Sequence, residues 1–559
     1  MPGKELRFDE EARAALRRGA DAVADVVSVT LGPRGRAVVL DKKFGPPIVT
    51  NDGVTIARDL DFADHFENMG AQLLKEAAVK TNDVAGDGTT TSAVLARALI
   101  SEGLHNLTAG AAPTELRRGM LAATEAAVAD IRARSHDVSG NEDIQRVATI
   151  SSADAEIGAM IAEAFQRVGR EGVVSVEEGR GLETEVEVVE GMQFDRGYVS
   201  AYLVTDQQAM EAVLDDARVL VTDGKITAVA DLLPALEISV RGGSPLLIVA
   251  EDVQAEALAT LVVNRLRGTV TAAAVKAPAF GERREAMLQD IAILTGASLI
   301  SEKMGLRLDA LREDQLGRAG RVTVTKDDTT IVRGGGSRES IDARAAEIRQ
   351  QVEETTSDWD REKLQERLAR LTGGVALIKV GAATEVELKE RKARVEDALA
   401  ATRAAIEEGV VVGGGVSLIR AIPAVEKLDL DGDARTGARI VARALTEPTR
   451  VIGRNAGAEG AVVVNRVAAA KGDEGFDAVA ETYGDLAAKG VIDPTKVVIT
   501  ALNNAASIAA MVLTTEALIA DVPEKEDAAP GGHAHGGMGG MGGMGGMGGM
   551  GGMDDDMDF

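Results

Sequence analysis

Asp87 stands between two glycines, Gly86 and Gly88, and Thr89, Thr90 and Thr91 follow it before an apolar run begins. Glycine-flanked backbone entering a helix offers unpaired N–H groups and the positive end of the helix dipole, a combination that binds phosphate. The three hydroxyls add donors. A lone carboxylate there would repel phosphate. The conflict disappears if Asp87 holds a hard cation such as Mg2+ that also takes phosphate oxygens, because oxygen ligands suit that ion. The chemistry implied is a metal–nucleotide complex. The competing reading of "AGDGTTT" is a glycine-rich loop with Asp as an N-cap. Neither a P-loop lysine motif nor a G-x-G-x-x-G after a strand is present to choose between them.

Several elements must position this segment. Leu16, Ala20, Val23 and Val27 recur at helical spacing, and Gly32 and Pro33 in "TLGPRGR" stop that helix in a glycine-rich turn. "AVVLDKKFGPPIVTNDGVTIA" reads as a strand, a Gly-Pro-Pro turn and a second strand with Asn51, Asp52 and Gly53 at its bend. Between about 190 and 375, β-rich pieces such as "PLLIVAEDV" and "GTVTAAAVKAP" alternate with helical ones such as "ALATLVVNRLRG", as a separate α/β module would. "SDWDREKLQERLARLTGG" is a charged helix with Ser357 as N-cap and Gly373 and Gly374 as its stop. "RKARVEDALAATRAAIEEGVVVGGG" reads as a further long amphipathic helix ending at Gly413, Gly414 and Gly415.

Composition narrows the classes. A chain of 559 residues, 45% apolar, has the substance for about three domains. A net charge of -27 disfavours nucleic acid as the main partner, since that binding relies on basic patches. It also disfavours anionic membranes. With no cysteine there is no disulfide scaffold, thiolate metal site or Cys nucleophile. The N-terminal segment mixes acids and bases without the apolar core of a signal peptide, and no apolar run approaches the ~18 residues of a membrane span. The expectation is a cytoplasmic protein of bacterial type.

The motifs "TLGPRGR", "NDGV", "AGDGTTT", "ARVEDAL" and "GVVVGGG" occur in this order, with the α/β block between the third and fourth. Together with "GMQFDRGY", "EALATLVVN", "IKVGAATEVE", "DPTKV" and the terminal Gly-Gly-Met repeats, the set resembles the group I chaperonins, the GroEL type, over residues 2 to 523. Each motif alone is weak, whereas the ordered set is highly specific. The resemblance implies a mainly α subunit with an α/β apical module and three domains. Residues 1–133 and 408–523 would form a helical equatorial ATPase domain, and 134–189 and 375–407 a small intermediate domain. Residues 190–374 would be an inserted apical domain that binds substrate and co-chaperonin, and 524–559 a disordered Gly-Gly-Met tail. It further implies seven-membered rings, stacked in pairs, that enclose unfolded polypeptide clients under a co-chaperonin lid and are driven by ATP.

By the same resemblance, Thr30, Leu31, Gly32 and Pro33 meet the nucleotide phosphates, together with Asp87, Gly88, Thr89, Thr90 and Thr91, with Asp87 as the Mg2+ ligand. Gly414, Asp477, Ala478, Val479 and Asp493 fall where base and ribose are held. Asp52 and Asp397 fall where two carboxylates align the attacking water. A K+ site of backbone carbonyls near Thr30 and Asn51 is a further implication. This chain has Asn51 where the best-known members have lysine, and Asp477 where asparagine is frequent.

Leu233 and Leu236, then Leu258, Val262 and Val263, lie on helix-spaced stripes that read as core when taken alone. The resemblance sets them instead, with Tyr198, Tyr202 and Leu203, on an apical rim facing the cavity, where an apolar surface would bind exposed hydrophobic segments with little sequence preference. Leu203 stands where an aromatic is frequent. The "HAH" at 533–535 makes a poor metal site. Two rival classes are an ATP-dependent phosphotransferase, for which no acceptor pocket with a base is evident, and a chaperonin paralogue that binds proteins with little ATP-driven cycling. Asp52, Asp87 and Asp397 occurring together speak against the second.

Overall fold

The computed structural model describes residues 3–42, 47–170, 172–179, 181–207, 209–355 and 357–521, with the backbone alone at 282 and 358. The terminal repeats and "HAH" therefore lie outside the described residues. Of the described residues, 3–6 and 519–521 form a small unit, in which Lys4 and Asp521 make an ion pair. Residues 7–518 form the other unit, which is built from three kinds of packing.

The first is helix on helix. Asp9–Ser28 lies along His65–Ala85, Thr89–Thr108 along Thr495–Leu513, and Pro113–Ala133 along Gly432–Ala444. Small residues at the contacts let the axes approach: Ala12, Ala15, Ala20 and Ala24 of the first helix are all buried. Asp64 caps His65–Ala85, its carboxylate accepting from the N–H groups of Phe66 (2.8 Å) and Glu67 (3.1 Å). Thr495–Leu513 is long and apolar enough to cross a bilayer by length and composition, which corrects the expectation that no such run exists. Its apolar character is explained by burial, since it packs against the helices Thr89–Thr108, His65–Ala85 and Pro113–Ala133 among others.

The second kind is a small sheet under helices. Val375–Val380 is flanked by Val173–Glu178 in parallel and Glu185–Val189 in antiparallel pairing. Its core combines Ala376, Ile378 and Val380 with Ile144, Val147 and Ala148 of the helix Asn141–Ser152 and with Val395, Ala398 and Leu399 of Glu385–Glu408. Those two helices thus share one hydrophobic cluster.

The third is a seven-stranded mixed sheet from 191 to 334, in the order Ala272–Lys276, Leu246–Ala250, Ala212–Thr222, Gly317–Val324, Thr329–Gly334, Gly191–Phe194, with Leu299–Ile300 added beside Ala212–Thr222. Every residue of Leu246–Ala250 is buried, because helices cover both faces. Alternate side chains serve opposite cores. Leu247 and Val249 face the layer of Leu288, Ile291 and Ile348, while Leu246, Ile248 and Ala250 face Leu232, Ala235 and Leu261.

Ser357 caps Asp358–Thr372 by accepting from the Asp360 N–H (3.2 Å), as its sequence suggests. Two local expectations are corrected. Val38–Leu40 and Ile48–Thr50 do pair as antiparallel strands, but Val54 to Ala57 belong to the helix Gly53–Asp59, with Asp52 as its N-cap rather than a bend within the second strand. The long helix Glu385–Glu408 stops at Gly409, not at 413–415. Val410–Val412 then pairs as a strand with Ile492–Pro494, and Val416–Glu426 begins after Gly415.

Candidate functional site

The turn after Asp9–Ser28, the cap of Gly53–Asp59 and the start of Thr89–Thr108 meet at one place. Thr30 Oγ1 lies 3.1 Å from Thr90 Oγ1. Asp52 accepts from the N–H groups of Val54 (3.1 Å) and Thr55 (2.9 Å) and from the Thr55 hydroxyl (2.6 Å). Gly53 is a close approach: a Cβ there would sit 2.5 Å from Thr90 Oγ1 and 2.8 Å from Thr89 Oγ1. Gly88, in the left-handed region, is the N-cap of Thr89–Thr108 and leaves the first amides of that helix without a side-chain partner. Asp87 is therefore not a helix cap. One carboxylate oxygen accepts from the Gly88 N–H and the other from the Ser151 hydroxyl at 2.7 Å.

Four aspartates from four segments gather here, each half-buried. Loss of hydration raises the Asp87 carboxyl; Ser151 and Gly88 work against that rise and the Asp52 charge adds to it. Asp397 is pushed well above the ordinary aspartate range by lost hydration, then by the charges of Asp52, Asp87 and Glu396. Asp493 is raised to about 7 by lost hydration and by Asp87. The charges acting most on these three groups are all negative.

On the other side, Gly414, at φ +65°, has its carbonyl held by the Thr449 hydroxyl (3.0 Å), and Asp493 pairs through its backbone with Val411. Asp477 accepts from the N–H groups of Val479 (3.1 Å) and Ala480 (3.0 Å) and from Lys489 Nζ (2.9 Å). Burial opposes ionisation of Asp477, but Lys489 and those two amides outweigh it and hold the carboxyl below its usual range. Ala478 is buried and Val479 exposed. Arg34 ties the two sides together, donating to the Val479 carbonyl (3.0 Å) and to Glu481 (3.2 Å), while Asn455 Nδ2 donates to the Leu31 carbonyl (2.9 Å). Gly32 and Pro33 are exposed on the same turn, and Thr91 is half-buried on the first turn of its helix.

Among the described residues no three His, Cys, Asp or Glu side chains form a ready metal cage. A small hard cation needs only one or two carboxylates when phosphate and water oxygens complete its shell. Clustered carboxylates beside a helix N-terminus and threonine hydroxyls fit that arrangement.

The model of the TCP-1/cpn60 chaperonin family matches residues 23–523. The chain belongs to that family. Chaperonins assist protein folding, are generally ATPases, and generally form ring oligomers that bind unfolded clients; the mainly helical, multi-domain fold with mixed sheets is theirs as well.

Within this chaperonin chain, the expected apolar rim divides. Tyr202, Leu233 and Val263 are exposed, at 69%, 50% and 43%. Leu258 and Val262 are half-buried against the cluster beneath the sheet, and Tyr198 is half-buried against the other core. Leu203 and Leu236 are corrected: they are 0% and 7% exposed, packed with Leu220, Leu232 and Leu261. The helix Val229–Gly242 turns Leu232, Ala235, Leu236 and Ser239 inward, so Leu233 and Val240, seven apart, form its outer stripe. Val240 and Leu266, at 57% and 71% exposed, were not singled out from the sequence. Nor were Ser151, Arg34 and Asn455. No motif flags Ser151 or Asn455, whereas Arg34 lies inside "TLGPRGR".

Proposed function

We propose that this chaperonin is of group I and hydrolyses ATP to drive capture and release of non-native polypeptides. The observation that carries the reading is the convergence of Asp52, Asp87 and Asp397 on the N-terminus of Thr89–Thr108, from segments some 35 to 345 residues apart in sequence. Thr30, the turn to Pro33, and Gly88 to Thr91 would hold the phosphates. Gly414, Asp477 to Val479 and Asp493 would hold base and ribose. Asp87 would hold Mg2+, which when bound neutralises phosphate charge and polarises the transferred group. Asp52, fixed by its own cap bonds, would orient the attacking water. Asp397, whose carboxyl is raised well above the ordinary aspartate range by lost hydration and neighbouring negative charge, would accept the proton.

Asp397 rides on a helix that shares its core with Asn141–Ser152, so hydrolysis would depend on that helix pair being seated. Residues 190–374 would be the apical domain, with Tyr202, Leu233 and Val263 on the client-binding rim. Assembly would be paired seven-membered rings in the cytoplasm, closed by a co-chaperonin lid, with K+ as a further cation.

The test is ATP turnover with and without denatured protein and co-chaperonin. Asp87→Ala should abolish hydrolysis. Asp397→Ala should leave nucleotide binding largely intact and slow turnover by about 10² to 10⁴, the scale of a lost general base. Ordinary turnover by Asp397→Ala would sink the assignment, and absent turnover by the unmutated protein would favour a paralogue that binds proteins without cycling.

A further inference from the structure

Ser151 occupies the last turn of Asn141–Ser152, and its hydroxyl reaches across to Asp87, 64 residues away in sequence. The helix end is tightly specified. Ser152 is buried and donates to the Ala148 carbonyl (2.6 Å), Ala153 sits in the left-handed region at φ +53°, and Asp154 caps the next helix through the Glu156 and Ile157 N–H groups. A non-glycine residue in that region is held there by its surroundings, and such residues cluster at functional sites. The hydroxyl therefore arrives on a rigid support rather than on a loop.

A carboxylate has about four lone-pair positions. Asp87 uses one on the Gly88 N–H and one on Ser151, which fixes the plane of the group and leaves a further position on each oxygen. A carboxylate held in one plane with lone pairs to spare is prepared to take a cation. The donor comes from the helix that packs against the bearer of Asp397, through Ile144, Val147 and Ala148 against Val395, Ala398 and Leu399. One seated body thus presents a hydroxyl to Asp87 and a carboxyl to the same site.

Resting on the nucleotide reading above, we propose that Ser151 is a positioning residue for the cation-binding carboxylate of Asp87, so that cation affinity depends on whether the 141–152 helix is seated. Partners that orient a metal ligand are typically worth 10- to 100-fold in metal affinity.

The experiment titrates Mn2+ into the full-length protein with a non-hydrolysable ATP analogue, reading bound metal by electron paramagnetic resonance, and compares Ser151→Ala, Ser151→Thr and Asp87→Asn. Ser151→Ala should weaken Mn2+ binding by about 10-fold or more. Ser151→Thr should restore the affinity. Unchanged Mn2+ affinity in Ser151→Ala, with binding lost in Asp87→Asn, overturns the positioning role and leaves the nucleotide reading standing. Equal weakening by Ser151→Thr, which keeps the hydroxyl, overturns it as damage to the helix end. Unchanged Mn2+ binding in Asp87→Asn refutes the nucleotide reading itself.

Discussion

Gly86 and Ala400 are in such close contact that a Cβ built on the glycine would lie 2.2 Å from the Ala400 Cβ. Gly86 closes the helix His65–Ala85 in the left-handed region, one residue before Asp87, and Ala400 stands one turn beyond Asp397. The missing side chain is thus what allows the Asp397 helix to rest on the Asp87 turn.

Gly86→Ala should separate closure from folding. The substitution adds about 1 kcal/mol of left-handed strain and an overpacking cost of about 1–3 kcal/mol unless the helix retreats. Retreat would relieve the clash but move Asp397 out of place, and a displacement of about 1 Å is enough to cost 10²-fold in rate. ATP turnover should fall by that order while nucleotide affinity changes little. Full turnover alongside an ordinary melting temperature would mean that the contact does not control the position of Asp397.

The half-buried Glu211 carboxyl gives a pH signature. It is raised from 4.5 to about 7, first by lost hydration and then by Glu396, with Asp206 adding to the rise and Lys392 and Arg321 opposing it. A raised acid stabilises the fold fully below its unfolded pKa, and that contribution is lost as pH climbs through the folded value. Glu211→Gln cannot ionise, so it should escape the loss between pH 4.5 and 7. Relative to the unmutated protein, the variant should gain melting temperature at pH 8 over its standing at pH 5. A difference that stays constant across pH would show that Glu211 is not the titrating group.

Helices whose ends carry their own signals were readable in the sequence. Ser357 and the pair Gly373 and Gly374 mark Asp358–Thr372 because cap and stop are local chemistry. Asp52 was misread because "NDG" serves equally as a turn or as an N-cap, and the β-branched residues after it mimic a strand. The end of Glu385–Glu408 was misplaced because Val410–Val412 becomes a strand only by pairing with residues some 80 positions away. Asp87 was legible from its flanking glycines and threonines, whereas Asp52 and Asp397 acquired a role only within the ordered set of motifs. Ser151 carried no signal, because its role rests on a contact between distant segments. Leu236 was placed outward by the resemblance, whereas its helical spacing taken alone read as core, which is where it packs.

That last distinction is open to measurement in the assembled protein. Leu203→Ala and Leu236→Ala remove side chains packed in the core beneath the sheet, and each should cost roughly 2–5 kcal/mol, the scale for truncating a buried leucine. Leu233→Ser and Val263→Ser alter exposed side chains that lose little burial, so denaturant midpoints should barely move. If the rim of Tyr202, Leu233 and Val263 holds clients, capture of a denatured test protein should weaken in Leu233→Ser and Val263→Ser despite their intact stability. In Leu203→Ala and Leu236→Ala, capture should track only the fraction that remains folded. The opposite pattern, with stability lost at 233 and 263 and capture lost specifically at 203 and 236, would reverse the assignment of core and rim.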